Sequence, residues 1–170
     1  MYDFLLSNDV GIFAPGIRAL MAEMRALGPT LTVAPHMERS ATSHSISTHL
    51  PLRLDQLESD IYSVQGTPAD CAMLACRRLV TNPLRWMISG INRGANLGED
   101  TLYSGTVGAA VEACLHGIRS MAVSVEGATP LHYDTAARVV RLLVENDSLI
   151  GDLKGRVLNV NVPSVPFERL

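Results

Sequence analysis

The sequence predicts an α/β fold: a doubly wound, mostly parallel sheet with helices on both faces. Two observations carry that expectation. Short apolar runs of strand length alternate with segments whose apolar residues recur at helical spacing, and a βαβα order of this kind favours a parallel sheet covered by helices. Caps and breakers stand where such elements should begin and end. Residues 2–7 read as a short buried strand. Residues 16–27 place Ile17, Leu20, Met21, Met24 and Leu27 on one helical face. Residues 31–34 form a second strand closed by Pro35, and residues 36–49 are a long hydroxyl-rich loop. A small strand pair is expected at 50–54 and 62–64. Thr67-Pro68-Ala69-Asp70 has the form of a helix start, with Thr as cap, Pro at the first position and an acid three residues after the cap. That helix should run to about Val80. A strand at 85–89 ends in Gly90. The helix at 104–116 should turn Val107, Ala110, Val111, Cys114 and Leu115 inward, with Gly117 beyond its end. A strand at 121–125, a helix at 134–145 and a last strand at 157–162, stopped by Pro163, complete the order.

The 170 residues suit one domain, 1–170, with one sizeable core. A net charge of −3 and no Lys/Arg cluster argue against a nucleic-acid polymer as partner. No apolar run approaches the ~18 residues of a membrane span. The first ten residues lack a basic n-region, so no secretory signal is expected. Cys71, Cys76 and Cys114 form no CxxC pair and sit in apolar helical stretches, which suits buried free thiols in a reducing compartment. The expected location is the cytoplasm.

In open α/β sheets ligands bind beyond the carboxyl ends of the strands. The first strand delivers Ser7-Asn8-Asp9-Val10-Gly11, the second leads to Arg39-Ser40, and the strand at 85–89 leads to Ser89-Gly90-Ile91-Asn92-Arg93-Gly94-Ala95-Asn96-Leu97-Gly98. Asp9, Ser40 and Asn92 offer only oxygen ligands, the set preferred by hard divalent cations such as Mg²⁺ and Mn²⁺. A turn or helix-capping role is the competing reading of Asp9. The glycine-rich loop 92–98 is either a phosphate cradle or an ordinary structured loop. Ser104-Gly105-Thr106 opens a helix, and its free N–H groups make an anion site, or Ser104 is a plain cap. The five histidines are scattered, and no GxSxG elbow is present.

These motifs, with Ala14-Pro15-Gly16, Gly66-Thr67-Pro68-Ala69-Asp70-Cys71, Tyr103-Ser104-Gly105-Thr106-Val107 and Asn159-Val160-Asn161-Val162-Pro163, occur in an order that resembles the SurE (survival protein E) family over nearly the whole chain. The resemblance implies a Rossmann-like core and divalent-metal-dependent hydrolysis of nucleoside 5′- and 3′-monophosphates. It implies a metal held by Asp9, position 10, Ser40 and Asn92, with Asp9 as the catalytic carboxylate. It places Asn8, Asn96, Ser104, Gly105 and Thr106 around the substrate phosphate. It also implies homo-oligomers in longer relatives.

Three departures accompany the resemblance. The family reads Asn-Asp-Asp-Gly, whereas this chain has Asn8-Asp9-Val10-Gly11, and valine cannot coordinate a cation. His36 stands where the family usually has Asp. The chain is also shorter than the family's usual length, which implies that a C-terminal segment with an exchanged arm is lacking. A competing expectation follows from Val10: a binding or scaffold protein that keeps the fold with impaired catalysis. A dinucleotide-dependent oxidoreductase is disfavoured, because no G-x-G-x-x-G follows the first strand.

Overall fold

A computed structural model describes residues 1–170. Phe4, Leu5 and Leu6 are all fully buried, so strand β1 (Phe4–Ser7) is covered on both faces. Because successive strand side chains alternate, Leu5 points to one face and Phe4 and Leu6 to the other. Two separate cores result. Phe4 and Leu6 pack with Leu20, Met24, Trp86, Ile88, Ala136 and Val140. Leu5 packs with Leu31, Val33, Cys71, Met87, Ala109 and Ala113 on the opposite side.

Helices α1 (Pro15–Leu27) and α5 (Tyr133–Glu145) cover the first face. Helices α2 (Pro68–Leu74) and α4 (Gly105–Leu115) cover the second. Two short helices, α3 (Asp100–Tyr103) and α6 (Asp147–Ile150), precede α4 and follow α5.

The remaining strands are β2 (Thr30–Pro35), β3 (Leu54–Glu58), β4 (Ile61–Val64), β5 (Trp86–Arg93), β6 (Ser120–Glu126) and β7 (Val157–Pro163). They form one seven-stranded sheet in the order β3-β4-β2-β1-β5-β6-β7. All neighbours are parallel except the β3–β4 pair. From β1 the chain winds outward through β2 and β4, then crosses back to β5 and winds the other way. The strand order therefore reverses between β1 and β5, and a crevice opens there at their carboxyl ends.

Four expectations need correction. The third strand is residues Leu54–Glu58 rather than 50–54. Pro51 lacks an N–H for the ladder, and pairing begins only at Leu54 opposite Val64. Strand β5 does not end before Gly90 but continues to Arg93. One extra residue between Ser89 and Asn92 makes a bulge against β6, so Gly90 bends the strand instead of stopping it. At Gly90 the φ is 150°, and a side chain would press on the Val123 carbonyl at 2.6 Å. The buried stripe of α4 is Gly108, Ala109, Ala110, Glu112 and Ala113, while Leu115 is 73% exposed. This helix is apolar on most sides, so spacing alone could not choose its inward face. Of the three free thiols only Cys71 is fully buried; Cys76 and Cys114 are half-buried.

Candidate functional site

The bend after β1 sets the geometry of the site. The Asn8 side chain both donates to the Gly11 carbonyl (2.8 Å) and accepts from the Gly11 N–H (3.1 Å), closing the turn on itself. Gly11 has a φ of 106°, which few other residues adopt. The turn aims Asp9 at the crevice between β1 and β5. Asp9 Oδ1 accepts from the Thr106 hydroxyl at 2.7 Å. The Thr106 backbone amide also favours the charged form of this carboxylate. Asp9 thus caps the first turn of α4, where the helix dipole is positive.

Burial pushes the Asp9 carboxyl above its usual range. The Thr106 bonds pull it back, and the negative charge of Glu38 pushes it further up. A carboxylate held in this way gains from a neighbouring cation.

Asp9, Ser40, Asn92 and Asn96 line one open cleft of about 260 Å³, together with Ser104, Tyr103, Arg93 and Asp100. The three oxygen donors expected from strand ends therefore come together. Ser40 is exposed on the loop after β2, and its hydroxyl donates to Glu38 Oε1 at 2.7 Å. That loop is pinned to the turn by the Arg39 N–H, which donates to the Asp9 carbonyl at 2.7 Å. The Asn92 amide nitrogen donates to the Gly94 carbonyl at 2.9 Å, leaving its oxygen as the free end.

Ser7 and Ser89 occupy paired positions on β1 and β5, and both hydroxyls are buried without a partner. They add polar atoms where the two strands reach the crevice. An all-oxygen donor set around one carboxylate, poised by burial, fits Mg²⁺ or Mn²⁺. Val10 is half-buried beside Asp9 and is not part of the cleft lining.

The phosphate-side residues divide into two groups. Ser104 accepts from the Val107 N–H at 3.2 Å as the cap of α4. Gly105 lies where a methyl group would meet Thr42, Asp9 and Pro68 at 2.9–3.0 Å, so glycine lets the helix start close to Asp9. Asn96 is almost fully buried, and its side chain donates to Ser124 Oγ at 2.7 Å. Its backbone is gripped from β7: Asn161 Oδ1 accepts from the Asn96 N–H at 2.8 Å, and Asn159 Nδ2 donates to the Asn96 carbonyl at 2.8 Å. Asn8 is fully buried and faces its own turn rather than the cleft. Sequence reasoning missed the supporting roles of Ser124, Asn159 and Asn161. Their polar side chains on otherwise apolar strands were the available signal.

Comparison with known proteins bears on the family and the fold. The profile of the family described as survival protein SurE matches residues 4–170. The protein named 5′-nucleotidase SurE from Vibrio vulnificus is 47% identical over 167 residues, covering 98% of this chain and 65% of the relative. The one of that name from Heliobacterium modesticaldum is 48% identical over 171 residues, covering 98% of this chain and 63% of the relative. The chain thus spans slightly less than two thirds of the length of these curated relatives. Among solved structures, the crystal structure of the SurE protein from Aquifex aeolicus superposes with a TM-score of 0.90 at 39% identity, covering 97% of this chain and 67% of that one. With a match over nearly every residue and the same fold, this chain belongs to the SurE family.

Proposed function

We propose that this chain carries the active site of a divalent-metal-dependent phosphatase that hydrolyses nucleoside 5′- and 3′-monophosphates to nucleoside and phosphate. The observation that carries the reading is the convergence of Asp9, Ser40 and Asn92 on one cleft at the mouth of α4. The relatives named 5′-nucleotidase support the substrate class.

Asp9, Ser40 and Asn92 would hold Mg²⁺ or Mn²⁺. When bound, the cation polarises a phosphoryl oxygen and lowers the pKa of water. The N-terminal turn of α4, with Ser104, Gly105 and Thr106, presents a positive dipole end to the phosphate. Asn96 forms the opposite wall, fixed by Ser124, Asn159 and Asn161. Asn8 takes part by holding the turn that aims Asp9. In the reaction a water oxygen bonds to phosphorus, the ester P–O bond breaks, and the nucleoside oxygen leaves with a proton.

The exposed side chains of Leu97, Leu102 and Tyr103 beside the cleft suit contact with a second subunit, and we include a homo-oligomer in the proposal. Free thiols suit a cytoplasmic location. No helix is long and apolar enough to cross a membrane.

Val10 favours a second reading, a nucleotide-binding protein with little turnover, because the resemblance implies a second carboxylate at position 10 and valine offers none. The discriminating measurement is phosphate release from a nucleoside 5′-monophosphate with Mn²⁺. We expect turnover by the unaltered chain, loss of at least 100-fold in Asp9→Asn, and faster release by Val10→Asp. Release no higher than that of Asp9→Asn, combined with tight nucleotide binding, would favour the second reading.

A further inference from the structure

We propose that Glu38 supplies the carboxylate that position 10 lacks, as a ligand to the divalent cation at Asp9. The inference rests on the metal-dependent reading above and deepens it.

Two hydrogen bonds and a cleft-lining neighbour bring Glu38 to the site. The Arg39 N–H donates to the Asp9 carbonyl at 2.7 Å, so the chain on either side of residue 39 lies against the Asp9 turn. The next residue, Ser40, lines the cleft beside Asp9 and Asn92. Its hydroxyl donates to Glu38 Oε1 at 2.7 Å, which holds the Glu38 carboxylate one hydrogen bond from an expected ligand. Asp100, on the first turn of α3, lines the cleft and is the competing carboxylate.

The side chain of Glu38 is exposed, so moving onto a cation costs it the Ser40 bond and some rotamer freedom but no burial of an unpaired charge. Two carboxylates then face a dication, in place of one. Like charges that repel in the free protein become mutually favourable once a cation lies between them.

The test is calorimetric titration of Mn²⁺ into the whole 170-residue chain and its variants in the absence of nucleotide. Glu38→Gln keeps an oxygen for the Ser40 hydroxyl and removes only the charge. Its melting temperature in chelator should match that of the unaltered chain, which separates metal binding from folding. We expect Glu38→Gln to weaken Mn²⁺ by about tenfold or more, in the range typical of lost metal-site partners. In a Val10→Asp background the same substitution should cost much less, because position 10 again supplies the second carboxylate. Unchanged affinity in Glu38→Gln, with binding lost in Asp9→Asn, would overturn the role of Glu38 and leave the metal site standing. That role falls equally if Asp100→Asn carries the loss instead. No Asp9-dependent Mn²⁺ binding in the unaltered chain would overturn the metal-dependent reading, and this inference with it.

Discussion

Asp9 carries opposing demands in one side chain. It caps α4 through Thr106, it is almost fully buried, and it lies within the field of Glu38. Burial is the largest influence and raises its pKa in the folded chain. The sign for stability follows from linkage. Well below the ordinary carboxylate range, Asp9 is neutral in both folded and unfolded chains, and nothing is lost. As pH rises past the unfolded value of about 3.9, the unfolded chain releases its proton first and the folded chain loses stability. The loss is complete above the raised native pKa. Metal-free Asp9→Asn should therefore melt higher than the unaltered chain at neutral pH, and the gap should close in acid. Added Mn²⁺ should raise the melting temperature of the unaltered chain only. Thermal melts from pH 3 to 8, with and without Mn²⁺, check both statements; a metal-free gap that widens in acid would contradict the burial argument.

At the scale of elements, the contact between α4 and the β1 turn decides whether a site exists. Gly105 lets the helix start against Asp9, with Thr42 and Pro68 closing the other sides. Gly105→Ala should cost about 1–3 kcal/mol, typical of overpacking, and should weaken Mn²⁺ binding by displacing Asp9. Urea denaturation measures the first effect and calorimetry the second. A stable variant with unaltered metal affinity would mean that the helix can shift without moving the carboxylate.

Elements whose signals are local were legible in the sequence. Thr67 and Asp70 form the reciprocal cap that their spacing promised, at 3.0 and 2.9 Å. The helix start at Ser104 was equally plain. The end of β5 was not, because Gly90 signals a stop and a bulge alike, and only pairing with β6 selects the bulge. Asp9, Ser40 and Asn92 were legible as a group, since strand ends in such a sheet share one edge. Glu38 was not, because its importance arises from a hydroxyl contact and from a turn much earlier in the chain.

Over the whole molecule, the long loop after β2 ties the two halves of the sheet together. Ser47 donates to Asp70 on α2 through both its N–H and its hydroxyl, at 2.8 and 2.7 Å. The Ser43 N–H donates to the Tyr103 carbonyl at 2.9 Å. His44 meets the buried Glu112 of α4 at 2.7 Å, and His116 meets its other oxygen at 3.3 Å. Since Ser40 rides on this loop, its position depends on contacts far from the cleft. Glu112→Ala should loosen the loop by about 1–3 kcal/mol, the usual effect of removing a buried charged partner. Hydrogen exchange should then quicken across residues 40–48 and stay slow in β1 and β5. Equal exchange in the loop of both proteins would assign its anchoring to Asp70 instead.

The grip of β7 on Asn96 has a temporal side. Asn96 is bonded to Asn161, 65 residues later in the chain. Synthesis runs from the N-terminus, and segments begin to fold as they emerge. The turn bearing Asp9 can meet β5 while the later strands are still being made. The wall built on Asn96 has no latch until the asparagines of β7 leave the ribosome. A nascent chain can thus set the turn that bears Asp9 before the opposite wall of the cleft is latched.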